Sequence, residues 1–286
     1  MAKNIRTDLA VEAHRISCGY GQKTEGVIVK ESEEKGIKLT RVEITNSEGE
    51  KALGKSVGNY VTIDCPRLRY STEDYDTVCS LISREIRSMA KITPDSVTLV
   101  AGLGNRDITP DALGIETAEN VMVTHHLKKY MSEYLGSGIS GVCTVTPGVL
   151  GTTGMETADT VKCIVSSLRP DLVITIDALA AADIRRVATT IQISDAGIQP
   201  GAGVGNDREG INRQTLGVPV IAVGVPTVID ARSISDEEIP EELLPLMVTT
   251  KDIDLVIKKC ARTIADGINL ALHENITHEE IMAFTG

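Results

Sequence analysis

From residue 96 onward, apolar runs alternate with amphipathic stretches, and this pattern predicts strands that are each followed by a helix. The helical stretches cover residues 114–131, 155–168 and 251–273, with a short piece near 179–187. Apolar strands that alternate with helices are typical of a mostly parallel central sheet covered by helices on both faces. The apolar runs are SVTLVAG from residue 96, GVCTVTPG from 141, DLVITID from 171, TTIQIS from 189 and VPVIAVGVPTVI from 218.

The remaining regions are assigned by weaker patterns. Residues 20–64 contain the β-like stretches GVIVK, IKLTRVEI and GNYVTIDC and predict a small β-rich annex. Residues 1–20 are predicted to be irregular, and apolar residues at near-helical spacing predict a helix over 71–92. Residues 232–250 are acidic, contain two prolines and predict an exposed connection. We therefore expect residues 1–286 to form a single α/β domain.

Composition and charge exclude several classes of protein. The chain is 42% hydrophobic with one Phe and no Trp, so its core must be mainly aliphatic. A net charge of −11 opposes binding to phosphates, and we predict no direct nucleic-acid partner. No apolar run approaches 18 residues, so we predict no membrane-spanning helix. The start MAKNIRTDLA lacks the apolar region of a signal peptide, so we predict none. Six scattered cysteines without CxxC spacing favour free thiols in a reducing cytoplasm.

The loop AGLGNRDITPDALG, residues 101–114, has the appearance of a cofactor-binding loop but lacks the required glycines. A dinucleotide fingerprint needs GxGxxG, and Asp107 occupies the place of the third glycine. No P-loop pattern and no GxSxG nucleophile elbow occur elsewhere in the chain. We therefore predict no nucleotide cofactor and no serine nucleophile.

Two aspartates are the strongest candidates for chemistry. Asp111 lies between the loop and the following helix, and Asp177 ends the strand LVITID. Either one is also consistent with a helix cap. Because the carboxyl ends of parallel strands lie at one edge of a sheet, both carboxylates can face one crevice. There they can share a proton and activate water, or bind a divalent metal.

Histidines and a glycine-rich segment are weaker candidates. The histidines of HENITH, residues 273–278, are five positions apart, which rotates them about 140° from each other on a helix and excludes a zinc pair. A solvated helix end is the simpler interpretation. The segment SDAGIQPGAGVGN, residues 194–206, is either a plain connection or a loop beside a substrate site.

Several long motifs resemble the germination protease family of spore-forming bacteria. They are RTDLAVE, GLGN followed by TPDALG, PGVLGTTGMET, IDALAA, TIQISDAGIQPGAGVGN and TLGVPVIAVGVPTVIDA, in this order between residues 6 and 231. The resemblance implies an endopeptidase of the spore core that begins to degrade small acid-soluble spore proteins at germination. It also implies a homotetramer without a cofactor, and a phosphorylase/hydrolase-like fold similar to hydrogenase-maturation proteases.

The resemblance assigns catalytic roles to the same two carboxylates. The family's essential aspartates fall on Asp111 and Asp177. The family is regarded as an atypical aspartic type, although it was once grouped with metalloproteases, and the corresponding acids of hydrogenase-maturation proteases bind nickel. A metal-dependent peptidase and a non-catalytic spore-protein-binding homologue therefore stay open as alternatives. The sequence does not assign the acid and the base.

The family is also made as a zymogen that removes its own N-terminal residues. Its substrates carry five consecutive positions: an acidic residue, then Ile or Phe, then Ala, then Ser or Thr, and finally Glu. They are cut after the first acidic residue. Asp8-Leu9-Ala10-Val11-Glu12 resembles this pattern, so we predict a propeptide of residues 1–8 and processing between Asp8 and Leu9.

The predicted acidic substrate needs local positive charge. We offer four arginines as substrate contacts: Arg106, Arg185, Arg186 and Arg208. The chain departs from the family pattern at GNRD, at Ala182 and in the short region after Ala231.

Overall fold

One mixed β-sheet forms the centre of the molecule. The computed structural model describes residues 7–18, 24–131, 133, 137–201, 208–234, 246–274, 276–277 and 279–281. Within these residues nine strands pair in the order β1-β2-β3-β7-β8-β6-β4-β5, and β9 pairs with β8. The strands are β1 (Val27–Glu34), β2 (Ile37–Ile44), β3 (Gly58–Asp64), β4 (Val97–Gly102), β5 (Gly141–Val145), β6 (Leu172–Ala181), β7 (Thr190–Ser194), β8 (Val220–Asp230) and β9 (Met247–Val248).

Parallel and antiparallel pairing occupy different halves of this sheet. Strands β5, β4, β6 and β8 pair in parallel, as the alternation of apolar runs and helices predicts. Strands β1, β2, β3 and β7 pair antiparallel, and β7 joins β8 antiparallel as well. The predicted β-rich annex thus continues the central sheet through β3. Lys35 and Gly36 close the β1–β2 hairpin with φ values of 48° and 80°, as a two-residue hairpin turn requires.

Helices cover both faces of the sheet, so the α/β fold predicted from the sequence is confirmed. On one face α3, α4 and α9 pack over Val100, Ile174 and Ile176, and on the other α7 packs over Leu99 and Val173. Neighbouring residues of one strand therefore point into different cores. The helices are α1 (Ala10–Cys18), α2 (Ser47–Leu53), α3 (Tyr75–Met89), α4 (Leu113–Asn120), α5 (His125–Tyr130), α6 (Leu150–Thr153), α7 (Thr157–Leu168), α8 (Arg213–Leu216) and α9 (Ile253–Leu272).

Three local predictions are wrong. Residues 10–18, expected to be irregular, form α1, because Ala10 and Ala13 pack against β2 and β3. The helix predicted over 114–131 is divided into α4 and α5 at residues 121–124, where Thr124 Oγ1 donates to the Ser140 carbonyl. Near 179–187, β6 extends to Ala181 and only a 3-10 turn follows.

Two further regions bear on the predictions. In the expected connection 232–250, residues 235–245 lie outside the described residues, and β9 lies near its end. No helix in the described ranges is long and apolar enough to cross a membrane.

Candidate active site

A cavity of about 860 Å³ opens at the carboxyl ends of β4 and β6, and we call it the carboxylate cavity. Cavities at this edge of an open α/β sheet are the usual place for ligands. Its polar lining includes Asp8, Lys55, Asp111, Asp177, Gln192 and Arg208.

Asp177 lies on β6 and is almost fully buried, with 6% of its surface exposed. Burial raises its pKa well above the ordinary value of 3.8, and the negative fields of Asp111 and Asp8 raise it further. The Ala178 N–H donates to Asp177 Oδ1 at 2.9 Å, which acts in the opposite direction. This carboxyl therefore favours its protonated form more strongly than a surface aspartate does.

Asp111 ends a 3-10 turn over Thr109–Asp111, immediately before α4. Burial raises its pKa from 3.8 to about 6, although the Asn105 backbone N–H and the Arg208 cation act in the opposite direction. The two candidate carboxyls thus line one cavity, and the field of Asp111 acts on Asp177. Asp111 is the more exposed of the two, and so its anion is the less costly to form.

Two glycines of the loop explain how Asp111 reaches the cavity. Gly104 has a φ of 111°, and a Cβ there would lie 1.9 Å from the Asp111 carbonyl oxygen. Gly114, at the start of α4, lies so close to the sheet that a Cβ would approach the carbonyl oxygens of Leu103 and Ile176 to 2.3 Å. The glycines therefore permit close backbone contact between the loop, α4 and β6.

The N-terminal segment, which we define as residues 7–12, reaches this cavity at Asp8, which is part of the lining. The Asp8 N–H donates to the Ala180 carbonyl at 2.9 Å, and the Ala180 N–H donates to Asp8 Oδ2 at 2.8 Å. Gln192 Nε2 donates to the Asp8 carbonyl at 3.1 Å, and Gln192 Oε1 accepts from the Ala10 N–H at 2.8 Å. Both sides of the Asp8–Leu9 peptide bond are thus bound by groups of the sheet.

Glu12 fixes the other end of the N-terminal segment. Its carboxylate accepts from the backbone N–H groups of Ala182 at 2.7 Å and Asp183 at 2.9 Å. Arg186 Nε lies 3.6 Å from Glu12 Oε1, and the same guanidinium pairs with Asp64. Ala180 on β6 and the residues just after the strand therefore bind the two acidic side chains of the segment.

The four arginines offered as substrate contacts occupy different places. Arg208 lines the carboxylate cavity and acts on Asp111, and Arg186 contacts Glu12 of the N-terminal segment. Arg106 is half exposed and pairs with Glu119, and Arg185 is exposed and pairs with Asp183. Neither Arg106 nor Arg185 lines the cavity.

Sequence reasoning missed two cavity residues that contact Asp8, namely Lys55 and Gln192. Gln192 had a signal that was available, because it is a polar residue inside the apolar run TTIQIS. No sequence signal marked Lys55, since a lysine after a short amphipathic stretch resembles any surface lysine. Its position depends on Gly54, which ends α2 with a φ of 62°.

His273 of HENITH does not line the carboxylate cavity, whereas the described part of the glycine-rich segment does. His273 is buried, contrary to the predicted solvated helix end, and its Nδ1 accepts from the Ser140 N–H at 3.3 Å. Burial lowers its pKa to about 4. His278 and residues 202–207 lie outside the described residues, and residues 196–201 line the cavity. Among the side chains that the structure describes, no three His, Cys, Asp or Glu are arranged to bind a metal ion.

Comparisons with known proteins identify relatives over nearly the whole chain. The family model for germination protease matches residues 5–244. Germination proteases of Caldanaerobacter subterraneus subsp. tengcongensis and Clostridium perfringens are 44% and 41% identical, covering 97% and 98% of this chain and 97% and 99% of their own. The one from Priestia megaterium is 38% identical and covers 99% of this chain and 97% of its own.

A solved structure is also similar to part of the chain. It is the NiFe hydrogenase maturation protease of Thermococcus kodakarensis, which is 16% identical. The match covers 66% of this chain and 98% of that protein, with a TM-score of 0.39.

Proposed function

The chain belongs to the germination protease family of peptidases, and we propose that it is an endopeptidase that begins the degradation of small acid-soluble spore proteins. The observation that carries this proposal is the pair of carboxyls with raised pKa values, Asp111 and Asp177, on one cavity. Carboxyls with unequal environments are how proteins supply an acid and a base for hydrolysis near neutral pH.

We assign the base to Asp111 and the acid to Asp177. Asp111, with a pKa of about 6, is mostly ionised at neutral pH and takes a proton from water. The resulting hydroxide attacks the scissile carbonyl carbon, and the carbonyl electrons move to oxygen. Asp177 stays protonated because it is buried beside Asp111, and it gives its proton to the leaving nitrogen as the C=O bond reforms and the C–N bond breaks. The proton that Asp111 took from water then passes to Asp177, which restores the starting state.

The N-terminal segment supports cleavage after an acidic residue and a zymogen state. Within Asp8-Leu9-Ala10-Val11-Glu12, Asp8 lines the carboxylate cavity, and Gln192 donates to the carbonyl of the Asp8–Leu9 bond. We propose that hydrolysis of this bond releases residues 1–8 and opens the cavity to other proteins. The full-length chain is then the less active form, because its own Asp8 occupies part of the cavity.

Assembly and location complete the proposal. We propose a homotetramer that acts in the spore core, as the family resemblance implies. Apolar side chains that remain on the surface, Tyr70, Tyr130 and Leu255 among them, provide area for subunit contacts. Light scattering of the purified chain gives the mass of the assembly, and a monomer at micromolar concentration would contradict the tetramer.

The test is digestion of a purified small acid-soluble spore protein by the full-length chain after it has processed itself. Mass spectrometry of the fragments is expected to give ends that follow an acidic residue. A parallel digestion after exhaustive chelation separates the proposed mechanism, which continues, from a metal-dependent peptidase, which stops. A substrate that binds and stays intact supports the non-catalytic alternative and contradicts the proposal.

A further inference from the structure

We propose that Lys55 is the specificity-determining residue that recognises the acidic side chain before the scissile bond. This inference rests on the proposed function, because it assigns a recognition group to that cleavage. Lys55 follows α2, lines the carboxylate cavity and lies outside both β6, which carries Asp177, and the 3-10 turn that carries Asp111. The acid that it contacts here is Asp8, at the processing site predicted from the sequence.

The contacts of Asp8 define a binding site for one acidic residue. Lys55 Nζ lies 4.0 Å from Asp8 Oδ1, and the Ala180 N–H donates to Asp8 Oδ2 at 2.8 Å. The Ala180 carbonyl accepts from the Asp8 N–H, so backbone and side chain are bound together. One oxygen thus faces a cation and the other an amide, an arrangement that favours a carboxylate over a neutral amide.

The burial of Lys55 indicates that its site requires an acidic partner. The Lys55 side chain is 18% exposed, and that of Asp8 is 16% exposed. Burial lowers the pKa of Lys55, while the fields of Asp8 and Glu12 raise it. An ammonium removed from water is costly without a nearby anion, so a site that contains one favours an acidic ligand.

The other cations near the cavity have different partners. Arg186 pairs with Asp64 and with Glu12, and Glu12 stays in the chain if the Asp8–Leu9 bond is cut. Arg208 acts on Asp111. Release of residues 1–8 would remove Asp8 alone of these acids, leaving Lys55 and the Ala180 N–H facing the cavity. An acidic side chain of a substrate that binds where Asp8 was bound would pair with Lys55 and accept from the Ala180 N–H.

The test compares two peptides that differ only in the residue before the scissile bond. Each extends the sequence Thr-X-Leu-Ala-Val-Glu, with Asp or Asn at X. Each full-length chain is incubated until mass spectrometry shows that residues 1–8 have been released, a step that is expected to be slower in Lys55→Met, and kcat/KM is then measured on both peptides for the unchanged chain and for Lys55→Met. Lys51→Met, an exposed lysine on the preceding helix, is the matched control.

We expect Lys55→Met to lower the Asp-over-Asn ratio of kcat/KM by about 10- to 100-fold, the effect of removing a largely buried cation from beside the substrate carboxylate. The loss falls on the Asp peptide, and the rate on the Asn peptide stays within about twofold, which a general structural defect would not produce. Lys51→Met keeps the ratio of the unchanged chain. Lys55→Gln, which retains a donor without the charge, is expected to lose the preference as well, and it serves if Lys55→Met does not fold.

Two results overturn the inference in different ways. If the unchanged chain cuts the Asp peptide and the Lys55 variants keep its full preference, another group recognises the acid and only this inference fails. If the unchanged chain cuts neither peptide nor a small acid-soluble spore protein, the proposed function fails and takes the inference with it.

Discussion

Replacement of Asp111 by Asn is expected to stabilise the fold at neutral pH, and this prediction tests the electrostatics of the site. Burial raises the pKa of Asp111 from 3.8 to about 6. A carboxyl whose pKa is higher in the folded state stabilises the fold fully below pH 3.8. That contribution is lost as the pH rises through about 6, because the folded state must then bear a disfavoured charge. Asn has the shape of the protonated carboxyl and never bears the charge.

The size of the effect follows from the same pKa difference. At about 1.4 kcal/mol for each tenfold change, the rise from 3.8 to about 6 corresponds to about 3 kcal/mol at pH 7.5. Asp111 is partly exposed, so solvent screens the cost and we expect Asp111→Asn to gain about 1–2 kcal/mol. At pH 4.5 the gain shrinks to about one third of that value, because the folded carboxyl is then protonated.

The assay is urea unfolding of the unchanged chain and Asp111→Asn at pH 7.5 and 4.5, at one protein concentration. Asp107→Asn is the matched control, since Asp107 is an exposed aspartate of the same loop, and its variant is expected to change stability little at either pH. A gain of equal size at both pH values would refute the reasoning. So would a loss of stability at pH 7.5.

Three further substitutions test one close backbone contact, one hydrogen bond at the cavity and one hydrogen bond between α3 and α9. Gly114→Ala is expected to lower the unfolding free energy by more than about 3 kcal/mol, since its Cβ would lie 2.3 Å from two backbone oxygens, and urea unfolding measures the loss. Gln192→Leu removes the donor to the Asp8 carbonyl and is expected to slow self-processing about 10-fold or more, as followed by mass spectrometry. Tyr75→Phe removes the hydroxyl that donates to buried Asp266 and is expected to cost about 1–3 kcal/mol in thermal unfolding.

A matched control for each variant makes the same substitution at a position that lacks the contact. Gly151→Ala introduces a Cβ with nothing within 4 Å and should leave stability nearly unchanged. Gln214→Leu alters an exposed glutamine of α8 and should leave the processing rate unchanged, and Tyr70→Phe alters an exposed tyrosine. If a control loses as much stability or processing rate as the variant it is matched to, the contact assigned to that variant does not explain the effect.

The parallel half of the fold and the region of the two aspartates could be predicted because each depends on local pattern. The apolar runs specify buried strands, and residues at the carboxyl ends of parallel strands lie at one edge of a sheet. Asp177 does not end its strand as predicted, because β6 continues to Ala181, but it lies just beyond the last residue of β6 that pairs with β4. Asp111 follows the rule through the glycine-dependent contact of its loop with β6.

Tertiary contacts decide what the sequence could not predict. Leu9 and Ala10 are fully buried against distant strands, and nothing in MAKNIRTDLA signals that packing. Lys55 contacts Asp8, 47 positions earlier, only because Gly54 turns the chain towards the cavity. His273 is buried by the neighbouring Ser140 region, although its local sequence is that of a solvated helix end.

The most direct test of the central claim is the single-turnover rate of cleavage of a small acid-soluble spore protein by Asp111→Asn and Asp177→Asn. Both variants are expected to fold and bind the substrate, and to cut it at least about 1,000-fold more slowly than the unchanged chain, because each loses one partner of the proton transfer. Asp107→Asn should cut at the unchanged rate. Cleavage by either site variant within about tenfold of that rate would contradict the two-aspartate account.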